Sequence, residues 1–213
     1  MLVVAAEKFE LEWVRRSASI RTDTDFVFVS NGPGPTLAAE AVDKAGEPVS
    51  FDAFVSVGLC GGLIEEAIVG MVVLGNNVNG FEAQEPRTDG RAGFTFSGPI
   101  ASIDHVADTR AEKRSLRKTG AIAVEMEAAA VHEKARHAGR PFYCVKAVSD
   151  TADEEFAIDL NAARDASGRF SVKRILAQAA VRPLVILPEL RRLMRNSRLA
   201  TKALGDFFEH CRF

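Results

Sequence analysis

Residues 53–65 read AFVSVGLCGGLIE, an apolar run broken by one serine that finishes in a cluster of glycines. A strand with one face in water alternates apolar and polar side chains, whereas a strand covered on both faces is apolar almost throughout. AFVSVGL fits the second pattern. Short β-branched or aromatic runs of a similar kind recur at LVVAA (2–6), DFVFVS (25–30), GMVVLGNNV (70–78) and PFYCVKAVS (141–149). Helix-like segments lie between them at 7–19, 35–46, 108–118, 125–138 and 171–180. This alternation predicts a layered α/β fold rather than an all-α or all-β one.

The 213 residues, 47% hydrophobic and 26% charged, suffice for one substantial core, so a single domain is the expectation. A net charge of −2 exerts no general pull on nucleic acid, and no nucleic-acid partner is expected. Cys60, Cys144 and Cys211 are odd in number and form no CxxC pair, which argues against a disulfide framework or a zinc knuckle and favours a reducing compartment. MLVVAAEKFE lacks the basic region and cleavage site of a signal peptide, and PLVILP (183–188) is too short to cross a bilayer. The expected location is cytoplasmic.

From Val181 onward the chain turns basic. Leu190, Leu193, Met194, Leu204, Phe207 and Phe208 follow helical spacing, while Arg191, Arg192, Arg195, Arg198 and Lys202 populate the other side. This predicts a distinct unit, 181–213, behind a domain of residues 1–180. Such a basic amphipathic helix either docks on the parent core or, through 190–208, touches the membrane periphery or a lipid-like substrate.

Gly58, Gly61 and Gly62 cluster at the end of the strand expected at 53–59, where missing Cβ atoms allow either a ligand contact or a sharp structural turn. They form neither GxGxxG nor a P-loop. SNGPGPT (30–36) is a second glycine turn; its prolines remove amide donors, although the following helix N-terminus still attracts an anion. In HEKARH (132–137) the histidines are five apart, which places them on different helix faces and predicts solvated side chains and no metal site.

TGAIAVEMEAAAV (119–131) puts Glu125 and Glu127 into an apolar run. On a helix from about Val124 to Ala138, Glu127 projects within about 50° of the apolar stripe and Glu125 points away, solvated or salt-bridged. A carboxylate beside the stripe needs donors from the protein or from a polar ligand; a first-turn acid favoured by the helix dipole is the alternative. Ser149 and Asp150 close an apolar strand, where open α/β sheets bind ligands, or else they cap a following helix with Thr151 and Glu154 spaced as a capping box. Glu10 follows the first strand and reads either as a surface acid or as a third carboxylate at the same sheet edge. Three carboxylates gathered there suit glycosidic cleavage.

AVEMEAAAV (123–131) followed by VKAVSDTAD (145–153), with GLCGGL (58–63) upstream and Glu10 after the first strand, resembles the purine nucleoside phosphorylase and methylthioadenosine/S-adenosylhomocysteine nucleosidase superfamily over about residues 1–180. The resemblance implies a three-layer αβα sandwich around a mixed twisted sheet, in a homo-oligomeric enzyme that breaks the N-glycosidic bond of a nucleoside. Asp150 looks like the acid that protonates the purine, and Glu127 like the clamp on the ribose hydroxyls. Met126 resembles the floor beneath the sugar, and Glu10 the carboxylate that positions water. Ser149, Gly58, Leu59, Gly61 and Gly62 complete the implied substrate contacts.

No cofactor is implied, although phosphate serves as co-substrate in the phosphorylases; Arg15, Arg16, Arg87 or Arg91 would hold it. The chain departs from the family at Leu59, where nucleosidases carry a small hydroxyl residue, and at 97–113, where an aromatic residue facing the base is missing. The C-terminal segment resembles the branch associated with hopanoid biosynthesis, whose proposed substrate is adenosylhopane. A non-catalytic nucleoside- or lipid-binding protein on the same fold is the alternative from a different class.

Overall fold

The computed structural model describes residues 1–21 and 23–213. The five expected strands form, as β1 (Leu2–Ala5), β2 (Val27–Ser30), β3 (Phe54–Gly62), β4 (Val72–Val78) and β9 (Phe142–Asp150). Between β4 and β9 lie β5 (Phe81–Glu82), β6 (Arg87–Thr88), β7 (Thr95–Ser102) and β8 (Ala123–Glu125). The main sheet runs β2-β1-β3-β8-β7-β4-β5, and β9 pairs with both β3 and β4. Strands β3, β8, β7, β4 and β9 therefore close a circuit, parallel at β3–β9, β4–β7 and β7–β8 and antiparallel at β3–β8 and β4–β9.

Each face of the sheet carries helices, because each is apolar. On one side Leu2, Val4, Phe54 and Val148 pack against Ala38, Ala41 and Val42 of α2 (Pro35–Ala45) and against Ala128, Val131 and Ala135 of α4 (Ala128–His137). On the other, Val3, Val55, Val57 and Val145 pack against Leu11 and Val14 of α1 (Leu11–Ser19) and Ala200, Leu204, Phe207 and Phe208 of α6 (Pro183–His210). Helices α3 (Arg110–Arg117) and α5 (Val172–Val181) flank this three-layer αβα sandwich.

Three local expectations change. The GLCGG segment is strand, not loop: β3 continues through Gly62 with a register shift between Cys60 and Gly61. The helix expected from Val124 begins only at Ala128, because Ala123–Glu125 pair with β7 as well as with β3. Residues 181–213 are no separate unit, since α6 supplies part of the core and Cys211–Arg212, the short β10, pair with β6. The α1–α6 contact is so close that a Cβ on Gly205 would lie 2.6 Å from Trp13 Cβ. Among the described residues no helix is long and apolar enough to cross a membrane.

Candidate active site

The strand ends of β3, β8 and β9 and the turn after β1 converge on a cavity of about 290 Å³, lined by Glu10, Leu59, Gly61, Met126, Glu127, Ser149 and Asp150 among others. Seven of the nine residues expected at a site thus share one cavity. Gly58 and Gly62 lie just outside it. Gly58 has φ +139°, and a Cβ there would stand 3.2 Å from Glu10 Oε2, so its bareness makes room for that carboxylate. Gly62 packs instead on Ala67, whose Cβ would lie 2.8 Å from any added methyl.

Glu10 ends the single 3-10 turn Lys8–Glu10 that follows β1 and is 5% exposed. Its Oε2 accepts from the Glu7 amide (2.9 Å) and its Oε1 from the Leu59 amide (3.3 Å). Burial, with the charge of Glu127 added, raises its pKa from 4.5 to about 7.

Glu127 immediately precedes α4 and is buried. The Gly34 amide at the N-terminus of α2 donates to its Oε1 at 2.8 Å. The anion attracted to SNGPGPT is therefore the protein's own carboxylate. Burial raises the Glu127 pKa, and the Lys146 ammonium, 3.7 Å from Oε2, works against that rise.

Glu125 is not the outward acid that helical geometry predicts. Its side chain is fully buried, and its Oε2 accepts from the Glu127 and Ala128 amides (3.0 and 2.8 Å) and from Lys146 Nζ (2.8 Å). Its Oε1 has no partner among the described residues. Of the two outcomes foreseen for it, the salt bridge is the one found. Lys146 is wholly buried on β9; burial disfavours its charge, but Glu125 and Glu127 outweigh that and its pKa rises.

Asp150 closes β9 and is 7% exposed. Its Oδ1 accepts from Ser149 Oγ at 2.9 Å and its Oδ2 from Lys113 Nζ at 2.5 Å. Burial raises its pKa against the opposing charge of Lys113. Lys113, on α3 and 1% exposed, also donates to the carbonyls of Thr151 (2.8 Å) and Glu154 (3.1 Å), so all three ammonium donors are used. No helix starts at Thr151, although Glu154 does accept from the Thr151 amide (3.1 Å).

Sequence reasoning missed both lysines. Lys146 could have been found by the argument applied to the glutamates, since a charge inside FYCVKAVS needs a buried partner. Lys113 sits in the charge-rich RAEKRSLR, and nothing there marks it as the inward one. Segment 97–113 indeed brings no Phe, Tyr or Trp to the cavity, whose aromatic lining consists of Phe9, Phe156 and Phe170. His105 lines it too, held between Asp104 (2.7 Å) and Glu112 (2.5 Å), which raise its pKa.

Arg15, Arg16, Arg87 and Arg91 all lie outside the cavity lining. His132 is not freely solvated either; it packs between Phe81 and Phe142, and burial lowers its pKa.

Residues 94–180 match the family model of the phosphorylase superfamily. Among solved structures, the 5'-methylthioadenosine/S-adenosylhomocysteine nucleosidase of Neisseria meningitidis, in complex with methylthio-immucillin-A, is 22% identical with TM-score 0.59, covering 98% of this chain and 97% of that one. The corresponding Helicobacter pylori nucleosidase gives 13% identity, TM-score 0.67 and coverage of 97% and 94%. Futalosine hydrolase of Helicobacter pylori gives 14%, 0.65, and 97% and 95%. No curated protein sequence matches. The chain thus carries the fold of these nucleosidases over nearly its whole length, and residues 94–180 are similar to the phosphorylase superfamily.

Proposed function

We propose that this chain is an enzyme that cleaves the N-glycosidic bond of a 5'-substituted adenine nucleoside and releases the free base. The observation that carries this reading is the convergence of three buried carboxyl groups, Glu10, Glu127 and Asp150, on one cavity. Their environments suit different tasks. Asp150, with its raised proton affinity, gives a proton to the purine N7 as the C1'–N9 bond breaks and its electron pair passes to the base. Glu127 accepts hydrogen bonds from the ribose hydroxyls above the Met126 floor, and its charge favours the oxocarbenium-like sugar. Glu10, ionised above about pH 7, orients the attacking water and takes its proton.

Hydrolysis is favoured over phosphorolysis because the cavity lining contains neither arginine nor lysine to hold phosphate. Phe9, Leu160, Phe170 and Leu193 give the cavity an apolar wall suited to an apolar 5' substituent. With the basic α6, that wall supports a lipid-linked nucleoside such as adenosylhopane, met at the membrane periphery. Homo-oligomeric assembly is carried over from the resemblance, and analytical ultracentrifugation tests it.

The deciding experiment follows adenine release from methylthioadenosine, adenosine and a lipid-linked adenosine by chromatography, with and without phosphate. Release without phosphate is expected. Strict dependence on phosphate would replace hydrolysis by phosphorolysis. Binding without release from any of the three would instead support the non-catalytic binder.

A further inference from the structure

Between Val172 and Leu204 the chain carries eight Lys and Arg residues and one acid, Glu189. That acid is buried and turned inward, accepting from the Ala157 and Ile158 amides (2.9 and 2.8 Å). The outer face of α5 and α6 over this span therefore bears no carboxylate, while the remainder of the chain is net acidic. Lys173, Arg182, Arg191 and Arg198 enter no ion pair among the described residues.

Large apolar side chains stand among these cations. Leu184 is 91% exposed, Val181 80%, and Val172, Leu176 and Leu187 are also open to solvent. In the PLVIL run that begins α6, only Ile186 is buried. Singly exposed apolar residues are ordinary, but a series of them along two consecutive helices marks an interaction surface.

From this we infer that the outer face of α5 and the first half of α6 docks on an anionic phospholipid bilayer. The inference deepens the lipid-contact part of the proposed function and rests on it only for its purpose, since vesicle binding needs no substrate. It also moves the contact away from the region expected from sequence: within 190–208 the apolar stripe of Leu204, Phe207 and Phe208 is spent on the core, while the free apolar groups lie mainly at 172–187.

Charge selects the occupant. Cations around an apolar patch match anionic headgroups over acyl chains. A second copy of the chain, meeting this face about a twofold axis, would bring like charges together. Single-stranded nucleic acid would be served by exposed aromatic platforms, and the large exposed apolar residues here are Val, Leu and Met. The same helix reaches the cavity from its inner side, where Leu193 and Ser197 form part of the wall.

The test is flotation of the full chain with vesicles of phosphatidylcholine alone and of phosphatidylcholine mixed with phosphatidylglycerol. The chain should float with the mixed vesicles only, and less so as salt screens the charges. The double variants Arg191→Glu/Arg198→Glu and Val181→Asp/Leu184→Asp should each lower the bound fraction by more than about tenfold. Neither should change thermal melting or adenine release from methylthioadenosine, because none of the four residues lines the cavity.

No flotation with either vesicle, or flotation that survives both double variants, overturns the inference. So does light scattering in which Val181→Asp/Leu184→Asp splits a dimer while vesicles are ignored, which would assign the face to a second copy. Retention of an oligonucleotide without vesicle binding would assign it to nucleic acid. Adenine release measured alongside separates the two readings, since lost flotation with intact release leaves the catalytic proposal standing.

Discussion

Replacing Glu10 by glutamine should make the protein more stable in mild alkali and less stable in mild acid. The buried carboxyl holds its proton up to about pH 7, against 4.5 in the unfolded chain. Between those two values the folded state binds the extra proton, so stability falls as pH rises through the window and is flat above it. Two and a half pH units correspond to about 3 kcal/mol lost by the wild type at pH 8 relative to pH 4. Glutamine removes that loss. It also brings one acceptor oxygen where the carboxylate serves both the Glu7 and the Leu59 amides, so one hydrogen bond goes, at about 1 kcal/mol.

The net expectation for Glu10→Gln is about 2 kcal/mol of added stability at pH 8, or roughly 4–8 °C in melting temperature, and a small loss at pH 4–5. Urea unfolding of both proteins at the two pH values measures it. Equal destabilisation at both would refute the reasoning, because it would mean that the Glu10 carboxyl is not held protonated by the fold. For the wild type, kcat/KM should rise with pH through about 7, and the variant should lose this limb together with most of its activity.

Asp150→Asn should slow adenine release by about 10²–10⁴-fold, while calorimetric affinity for the nucleoside changes little. Lys113→Met removes the charge that opposes the burial of Asp150, so the high-pH limb of kcat should move to higher pH; a fall by the same factor at every pH would reduce Lys113 to a structural staple. Gly61→Ala places a methyl 2.9 Å from Asp150 Oδ2 and should lower kcat by about 10²-fold through displacement of the acid. Gly62→Ala, whose methyl would meet Ala67 Cβ at 2.8 Å and its carbonyl oxygen at 2.9 Å, should appear first as a lower melting temperature.

The layering was legible because burial on both faces leaves a mark on each strand: β1, β3 and β9 are apolar at nearly every position. β7 reads TFSGPIAS, with a proline and exposed positions at its start, and β8 is three residues long, so neither carries a periodic signal. Missing β8 also misplaced the start of α4 and misread Glu125. Glu127 was rightly singled out as inward-facing, though on a helical periodicity that does not apply there; what holds it is the Gly34 amide, 93 residues away in sequence.

The carboxylates could be proposed from family motifs and strand ends, but their partners could not. Lys113 and Gly34 meet Asp150 and Glu127 only through tertiary contact, which no local pattern encodes. The C-terminal helix shows the same limit from the other side. Its amphipathic pattern was visible, whereas which apolar residues face the core and which face solvent depends on where α1 and the sheet stand.

One lysine, Lys146, stands among Glu10, Glu125 and Glu127. When Glu10 is ionised that interior is short of positive charge, and the shortfall becomes a selection rule for ligands. A small molecule carrying a cationic centre beside Glu10 and Glu127 supplies the missing charge, and a neutral molecule of the same shape does not. Its preference over the neutral analogue should grow as pH rises through about 7, the point at which Glu10 gives up its proton.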